Sequence, residues 1–211
     1  MALTARDIRI SRRSWLLAGL AIRVSGARAD EPLEVMFDGD NIHVAAPGLH
    51  FLTGKPLNRL KDAATVVFVS QLTLFSDDRG TIFHRPVQDR LIVSYDLWQE
   101  KFAVTVRGGD STRSAPRLLT APQAEAWCIE NLAISALGLA PDRRFWLRFE
   151  LSATDQKDLG SLLGDSGLSL GTLIGWFSQR HGANEPYWKR EAGPLRLMDL
   201  PRALFGRGRI G

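Results

Sequence analysis

The fold is decided by residues 65–98, which read TVVFVSQLTLFSDDRGTIFHRPVQDRLIVSYDLW. Apolar and polar residues alternate through both halves of this stretch, which is the pattern of β-strands with one face toward a core. The apolar positions are Val66, Phe68, Leu72 and Leu74 in the first half, and Phe83, Val87, Leu91, Val93, Tyr95 and Leu97 in the second. The intervening residues 77–80, Asp-Asp-Arg-Gly, are typical of a turn. The stretch therefore predicts a long antiparallel hairpin.

The sequence on both sides extends this hairpin into a sheet. A turn at Gln99 and Glu100 leads to an alternating segment, 102–106, which predicts a three-stranded meander. Pro86 interrupts the second strand of the hairpin, and because proline has no N–H to donate, we expect a bend, a bulge or an edge position there. Further strands are predicted at 33–37, 42–44, 145–151 and near 195–197.

Two principal helices are predicted. The first begins at Thr120, where Thr-Ala-Pro-Gln forms a capping box with proline in the first turn, and it runs to about Ala136. The second follows Ser169 and ends at Gly182, with apolar residues at helical spacing. A short turn of helix is expected at 56–61. The predicted class is therefore α+β, a mainly antiparallel sheet built on a long hairpin and meander with two principal helices.

Residues 1–29 have the three parts of an export signal. Arg12 and Arg13 form a twin-arginine pair, a short apolar run follows at 15–22, and Ala27 and Ala29 stand at the two small-residue positions before a cleavage site. The apolar run is too short for a permanent membrane-crossing helix, which needs about 20 residues. The twin-arginine route and the general secretory route both fit this pattern. We expect one exported domain at 30–211, periplasmic or otherwise extracytoplasmic, with a flexible basic tail at 202–211.

Cleavage of that signal changes the charge of the protein. The whole chain has 27 Lys and Arg residues against 23 Asp and Glu residues, and its pI is about 9.6. Six of the arginines and one aspartate belong to residues 1–29, so 21 basic and 22 acidic residues remain in the exported domain. A nearly neutral domain lacks the basic surface that binds nucleic-acid phosphates. We therefore expect no nucleic-acid partner, and no stable transmembrane segment after signal cleavage.

No catalytic, cofactor or metal site is predicted. The histidines, His43, His50, His84 and His181, lack the spacing of zinc ligands. The acidic segments 38–41 and 77–80 lack the later ligands of a calcium loop, and we interpret them as turns. Cys128 falls on the apolar side of its predicted helix, which favours a core cysteine over a nucleophile.

Carboxylates on or beside the hairpin support an alternative hypothesis, an exported hydrolase. These residues are Asp89, Asp96 and Glu100. Asp89 interrupts the apolar face of its strand, as Arg85 does nearby. The two residues either pair with each other or mark the place where that face leaves the core.

Four aromatic residues predict the binding surface. Trp98, Trp146, Tyr187 and Trp188 are expected at strand ends, on an outward sheet face or in a loop. Outward aromatics either form an apolar groove for a ligand or partner, or lie under helices that cover that side of the sheet. The leading hypothesis is a non-enzymatic extracytoplasmic domain that binds a protein partner or an apolar ligand through its sheet.

The segment 64–106, with Ser-Tyr-Asp-Leu-Trp-Gln-Glu-Lys-Phe at 94–102, resembles exported bacterial domains of unknown function. In those domains a long strand pair precedes a Tyr-x-Leu-type strand and a helix. The resemblance rests on this pattern rather than on an invariant motif. It implies no activity and no catalytic residues.

Overall fold

The computed structural model describes residues 33–77, 80–109, 111–154 and 186–202. Within these ranges the predicted α+β class, with mainly antiparallel sheets and two helices, is confirmed. The signal residues, the helix predicted at 169–182 and the tail beyond residue 202 lie outside the described residues. The elements in chain order are β1 (Glu34–Asp38), β2 (Asn41–Ala45), α1 (Gly54–Lys61), β3 (Val66–Phe75), β4 (Val87–Asp96), β5 (Lys101–Gly108), β6 (Ser111–Ser114), α2 (Ala121–Glu130), β7 (Ala133–Ser135), β8 (Phe145–Ala153) and β9 (Tyr187–Leu195).

The described strands form two sheets. The larger sheet has the order β6-β5-β4-β3-β8-β9, and the smaller has the order β1-β2-β7. All neighbouring strands in both sheets are antiparallel. The predicted meander is confirmed as β3, β4 and β5, in which Val66 lies opposite Val93 and Val93 opposite Val104.

One hydrophobic core joins the two sheets and the two helices. It lies on the face of the larger sheet that bears Phe68, which we call the core face. Leu60 of α1, Ile129 of α2 and Ile42 of β2 belong to the same buried cluster as Phe68. Burying a side chain of this size stabilises the fold by about 1.5–3 kcal/mol relative to leaving it exposed. The helices therefore form because their apolar sides have a sheet to cover.

Strand β3 is buried more completely than one-sided alternation predicts. Val67 and Val69 point to the opposite face, which we call the second face, and both are fully buried. The run Val-Val-Phe-Val at 66–69 contains no polar residue, which is typical of a strand covered on both sides. β3 thus lies in the middle of the larger sheet, beside β4, and it is buried on both faces.

The prediction that the helix beginning at Thr120 continues to Ala136 is wrong. Helix α2 ends at Glu130, and β7 follows almost at once. Leu132, Ile134 and Ala136 are buried at every second position, and Ile134 lies opposite Ile42 of β2. Strand pairing in the smaller sheet buries these residues, and this tertiary contact overrides the local helical preference.

Smaller differences concern strand boundaries. Strand β4 begins directly after Pro86, while Ile82 makes only an isolated bridge to Phe75. After β5, the short strand β6 forms one edge of the larger sheet. A final strand was expected near 195–197, but β9 ends at Leu195 and a 3₁₀ helix, Leu197–Asp199, follows.

Across the described residues, no helix combines the length and apolar character that crossing a membrane requires.

Candidate functional site

The four predicted surface aromatics lie in three separate places. Trp146 and Tyr187 share the second face of β8 and β9. Tyr187 lies opposite Ser152, and Ser152 is six residues from Trp146 along β8, an even number that places both on the same face. Trp188, the next residue along β9, points to the core face. Trp98 lies in the turn between β4 and β5. The signal residues Arg12, Arg13, Ala27 and Ala29 are outside the described residues.

Trp188 contributes to the core. Its ring is half-buried, with its centroid 6.2 Å from that of Phe51 and 6.3 Å from that of Phe68. The strand alternation of β9 places it there, and little of its ring is left for a partner.

Trp146 packs against the backbone of the neighbouring strand. Gly193 on β9 has a φ of +147°, and a Cβ at that position would lie 2.4 Å from the Trp146 indole. Buried apolar side chains of both described helices, Leu60 of α1 and Ala124, Cys128 and Ile129 of α2, belong to the cluster of the core face. Neither α1 nor α2 therefore covers Trp146.

The second face around Tyr187 is polar and extensively hydrogen-bonded. The Gln88 side chain donates to Gln71 (2.7 Å), while Tyr187 donates its hydroxyl proton to Glu150. Burial, followed by this hydrogen bond, raises the pKa of Tyr187 above its ordinary value. Glu191 binds Lys189 at 3.0 Å and also pairs with Arg148, which lowers the pKa of Glu191. This part of the sheet is a charged network rather than an apolar groove.

The turn at 96–100, which we call the Trp98 turn, presents apolar side chains to solvent. Trp98 is 96% exposed and Leu97 is 54% exposed. Asp96 Oδ1 accepts hydrogen bonds from the backbone N–H groups of Trp98 (2.9 Å) and Gln99 (2.8 Å). The turn is thus held in one conformation while its tryptophan has almost no cover.

The carboxylates of the hydrolase alternative are not brought together. Asp89 lies near the start of β4 and Asp96 at its end, about 23 Å along the strand. The Asp96 carboxylate accepts backbone hydrogen bonds within the Trp98 turn, and Glu100 is exposed in the same turn. Burial raises the pKa of Asp89 to about 6, partly offset by Arg113 rather than by Arg85. A pair of carboxylates suited to acid–base hydrolysis is absent from the described hairpin.

Sequence reasoning missed a site that α2 forms with the segment after β2. The capping box fixes the start of α2, because the Thr120 N–H donates to Gln123 Oε1 at 3.1 Å. Glu125 then falls three and four residues before the buried Cys128 and Ile129, so it lies on the buried side of the helix. That spacing is visible in the sequence and is the signal by which Glu125 can be found.

Glu125 holds both the backbone and a histidine of the facing segment. Its Oε1 accepts the Leu52 N–H at 2.7 Å, and its Oε2 lies 3.0 Å from His50 Nδ1. Only 5% of Glu125 is exposed, whereas the His50 side chain is 56% exposed. Because a carboxylate can only accept, Nδ1 carries a proton and donates it. His50, for which the sequence indicates only that zinc-ligand spacing is missing, is thus one half of a carboxylate–imidazole pair.

This pair lines a small cavity, which we call the His50 cleft, of about 130 Å³. Its polar lining residues are Glu34, His50, Glu125 and Glu130. Its apolar lining residues are Ala45, Ala46, Pro47, Leu49, Pro122 and Ala126. Sites for drug-sized ligands and cofactors usually measure about 300–1,000 Å³. The cleft therefore has room for a single side-chain-sized group.

The described lining residues of the cleft include no hydroxyl or thiol group that the imidazole could activate. None of its lining residues is a serine, threonine or cysteine. Cys128, on the same helix, is buried as predicted, and burial followed by the nearby Glu125 raises the pKa of its thiol well above the ordinary value. Among the described residues, no group of three or more His, Cys, Asp or Glu side chains is arranged to hold a metal ion.

No family model, curated protein or solved structure matches this chain.

Proposed function

We propose that this chain is an exported, non-enzymatic binding domain that engages a protein partner through the hairpin end of its larger sheet. The observation that carries the proposal is the exposed indole of Trp98 on a turn held by Asp96. The adjacent Leu97 extends the same apolar tip.

An exposed tryptophan on a fixed turn has the properties of a binding anchor. Tryptophan is enriched among the few interface residues that carry most of the binding energy. A turn already held in one conformation loses little further conformational entropy on binding. The charged second face and the small His50 cleft favour a protein partner over a large apolar ligand.

Site-specific photocrosslinking in the cell envelope tests the proposal. With a photoreactive benzoylphenylalanine at position 98, we expect a discrete crosslinked product, because the side chain there lies at the interface. The matched control carries the same group at position 137, where Leu137 is 60% exposed on a different loop. Equal products at both positions, or none at 98, would count against the proposal.

A Trp98→Ala variant separates binding from folding. Because the side chain makes almost no intramolecular contact, we expect the free energy of unfolding to change by less than about 0.5 kcal/mol. Loss of an interface tryptophan is expected to weaken the partner complex by about 2 kcal/mol or more. Chemical denaturation measures the change in stability, and co-purification of the partner identified by crosslinking measures the change in binding. A variant that keeps full partner binding would exclude the Trp98 turn as the anchor.

Export by the twin-arginine route predicts a strong effect of a double Arg12→Lys, Arg13→Lys substitution. The paired arginines are the feature that this route reads, so we expect the unprocessed chain to accumulate in the cytoplasm. Cell fractionation with immunoblotting measures it, and Arg23→Lys serves as the control of equal chemistry. Unchanged export of the double variant would leave the general secretory route as the better account.

A further inference from the structure

The His50 cleft has an electrostatic character that selects among ligands. Three carboxylates, Glu34, Glu125 and Glu130, line it together with one imidazole, and no lysine or arginine is among its lining residues. Phosphates and carboxylates are repelled by such a lining, whereas a cation is attracted. Charge therefore limits the ligand to a neutral or positively charged group.

The buried carboxylate of Glu125 also fixes the orientation of the imidazole ring that lines the cleft. Glu125 is almost fully buried and uses one oxygen on the Leu52 N–H and the other on His50 Nδ1. This fixes the imidazole ring and assigns its proton to Nδ1, so that Nε2 of the neutral ring is an acceptor. A ligand N–H group is the natural partner of that nitrogen.

The walls and the size of the cleft define the rest of the ligand. Small apolar residues, including Ala46, Pro47 and Pro122, form the surface between the polar groups. A volume of about 130 Å³ admits a few methylene groups and a terminal nitrogen, but not a ring system with several substituents.

We propose that the His50 cleft binds a cationic nitrogen on a short apolar stem, the chemistry shared by a lysine or arginine side chain and a free alkylamine. The stem lies against the alanine and proline walls, and the nitrogen lies among the carboxylates with an N–H directed to His50. This site goes beyond the Trp98 turn and does not depend on it.

Amide NMR titration of the full chain with n-butylammonium tests this proposal. We expect saturable shifts at the amides of Leu52 and Ala126, with a Kd of about millimolar for so small a ligand. The neutral n-butanol and the anionic n-butanoate, which share the stem, are expected to give no saturable shifts there. A capped Ala-Lys-Ala peptide forms a second arm. Tighter binding of the peptide identifies a protein side chain as the ligand, and tighter binding of the free amine identifies a small molecule.

Variants that each remove one carboxylate test whether n-butylammonium binds in the His50 cleft. Glu34→Gln and Glu130→Gln alter exposed residues, so folding is retained, and each is expected to weaken binding about two- to fivefold, as loss of one exposed charge pair does. Glu100→Gln in the Trp98 turn and Trp98→Ala are controls that leave the titration unchanged. The proposal is overturned if n-butanoate binds as well as n-butylammonium, if saturable shifts are absent at roughly tenfold the expected Kd, or if both cleft variants bind like the parent chain.

Discussion

The free energy of unfolding of a Phe68→Ala variant is expected to be about 3–5 kcal/mol lower than that of the parent chain, the range for truncation of a buried phenylalanine. Phe68 is fully buried on β3, and its ring lies 4.9 Å from that of Phe51, centroid to centroid. β3 is held in register by β4 on one side and β8 on the other. The strands cannot move together to fill the cavity, so the contacts are lost outright. Because a domain of this kind is stable by only about 5–15 kcal/mol, the loss is a large part of the total.

Urea denaturation followed by tryptophan fluorescence measures this effect. Phe68→Leu keeps most of the apolar volume and is expected to cost less than about half as much. Ile82→Ala, at a residue that is 53% exposed, serves as a surface control with a change within about 0.5 kcal/mol. A Phe68→Ala loss as small as that of the surface control would contradict the placement of Phe68 at the centre of the core.

The parts of the fold that were predictable are those in which the pattern is local. Strands β3, β4 and β5 follow from alternation and turn residues within one continuous stretch. Strands β1 and β2 were also predictable as strands, but their separation into a second sheet was not. That sheet is completed by β7, where Ile134 lies opposite Ile42 from a distant part of the chain. Pairing between such segments depends on the assembled core, and no local signal encodes it.

The candidate sites were predictable to different degrees for the same reason. Trp98 was a surface candidate because it lies at the end of a strand beside a turn. Trp188 is a surface candidate in the sequence because no strand is predicted at 187–194, whereas the alternation of β9 directs it to the core face. His50 and Glu125 lie 75 positions apart in the chain. Only the packing of α2 against the segment after β2 brings them into one cleft.

An Asp89→Asn variant is expected to be more stable than the parent chain at pH 7.5, by about 2–3 kcal/mol, and to lose this advantage near pH 4. Burial raises the pKa of Asp89 from 3.8 to about 6, and Arg113 offsets only part of that rise. The carboxylate lies over the backbone of Gly108 on β5, where a Cβ would come within 1.5 Å of Oδ1, and only 6% of Asp89 is exposed to solvent. An amide of the same shape occupies that space without a charge to desolvate.

The sign of the pH dependence follows from the raised pKa. Between about pH 4 and pH 6 the folded chain holds a proton on Asp89 that the unfolded chain has released. The contribution of this group to stability is therefore complete below about pH 4, falls as pH rises through 6, and is lost by about pH 7. Urea denaturation of the parent and variant at intervals from pH 4.5 to 7.5 measures the difference, with Asp62→Asn, at an exposed aspartate, as a control expected to show none.

This pH series also distinguishes a buried structural acid from a catalytic one. A carboxyl group with a pKa near 6 has the value expected of a general acid, but Asp89 faces a glycine in a sheet and lies far from Asp96 and Glu100. If burial alone accounts for the shift, Arg113→Ala enlarges the advantage of Asp89→Asn at pH 7.5, because the one favourable charge is removed. Crosslinking through position 98 is then unchanged by Asp89→Asn. A parent chain whose stability stays constant or rises from pH 5 to 7.5, with no gain from the amide, would show that the carboxylate is solvated and would contradict this account of Asp89.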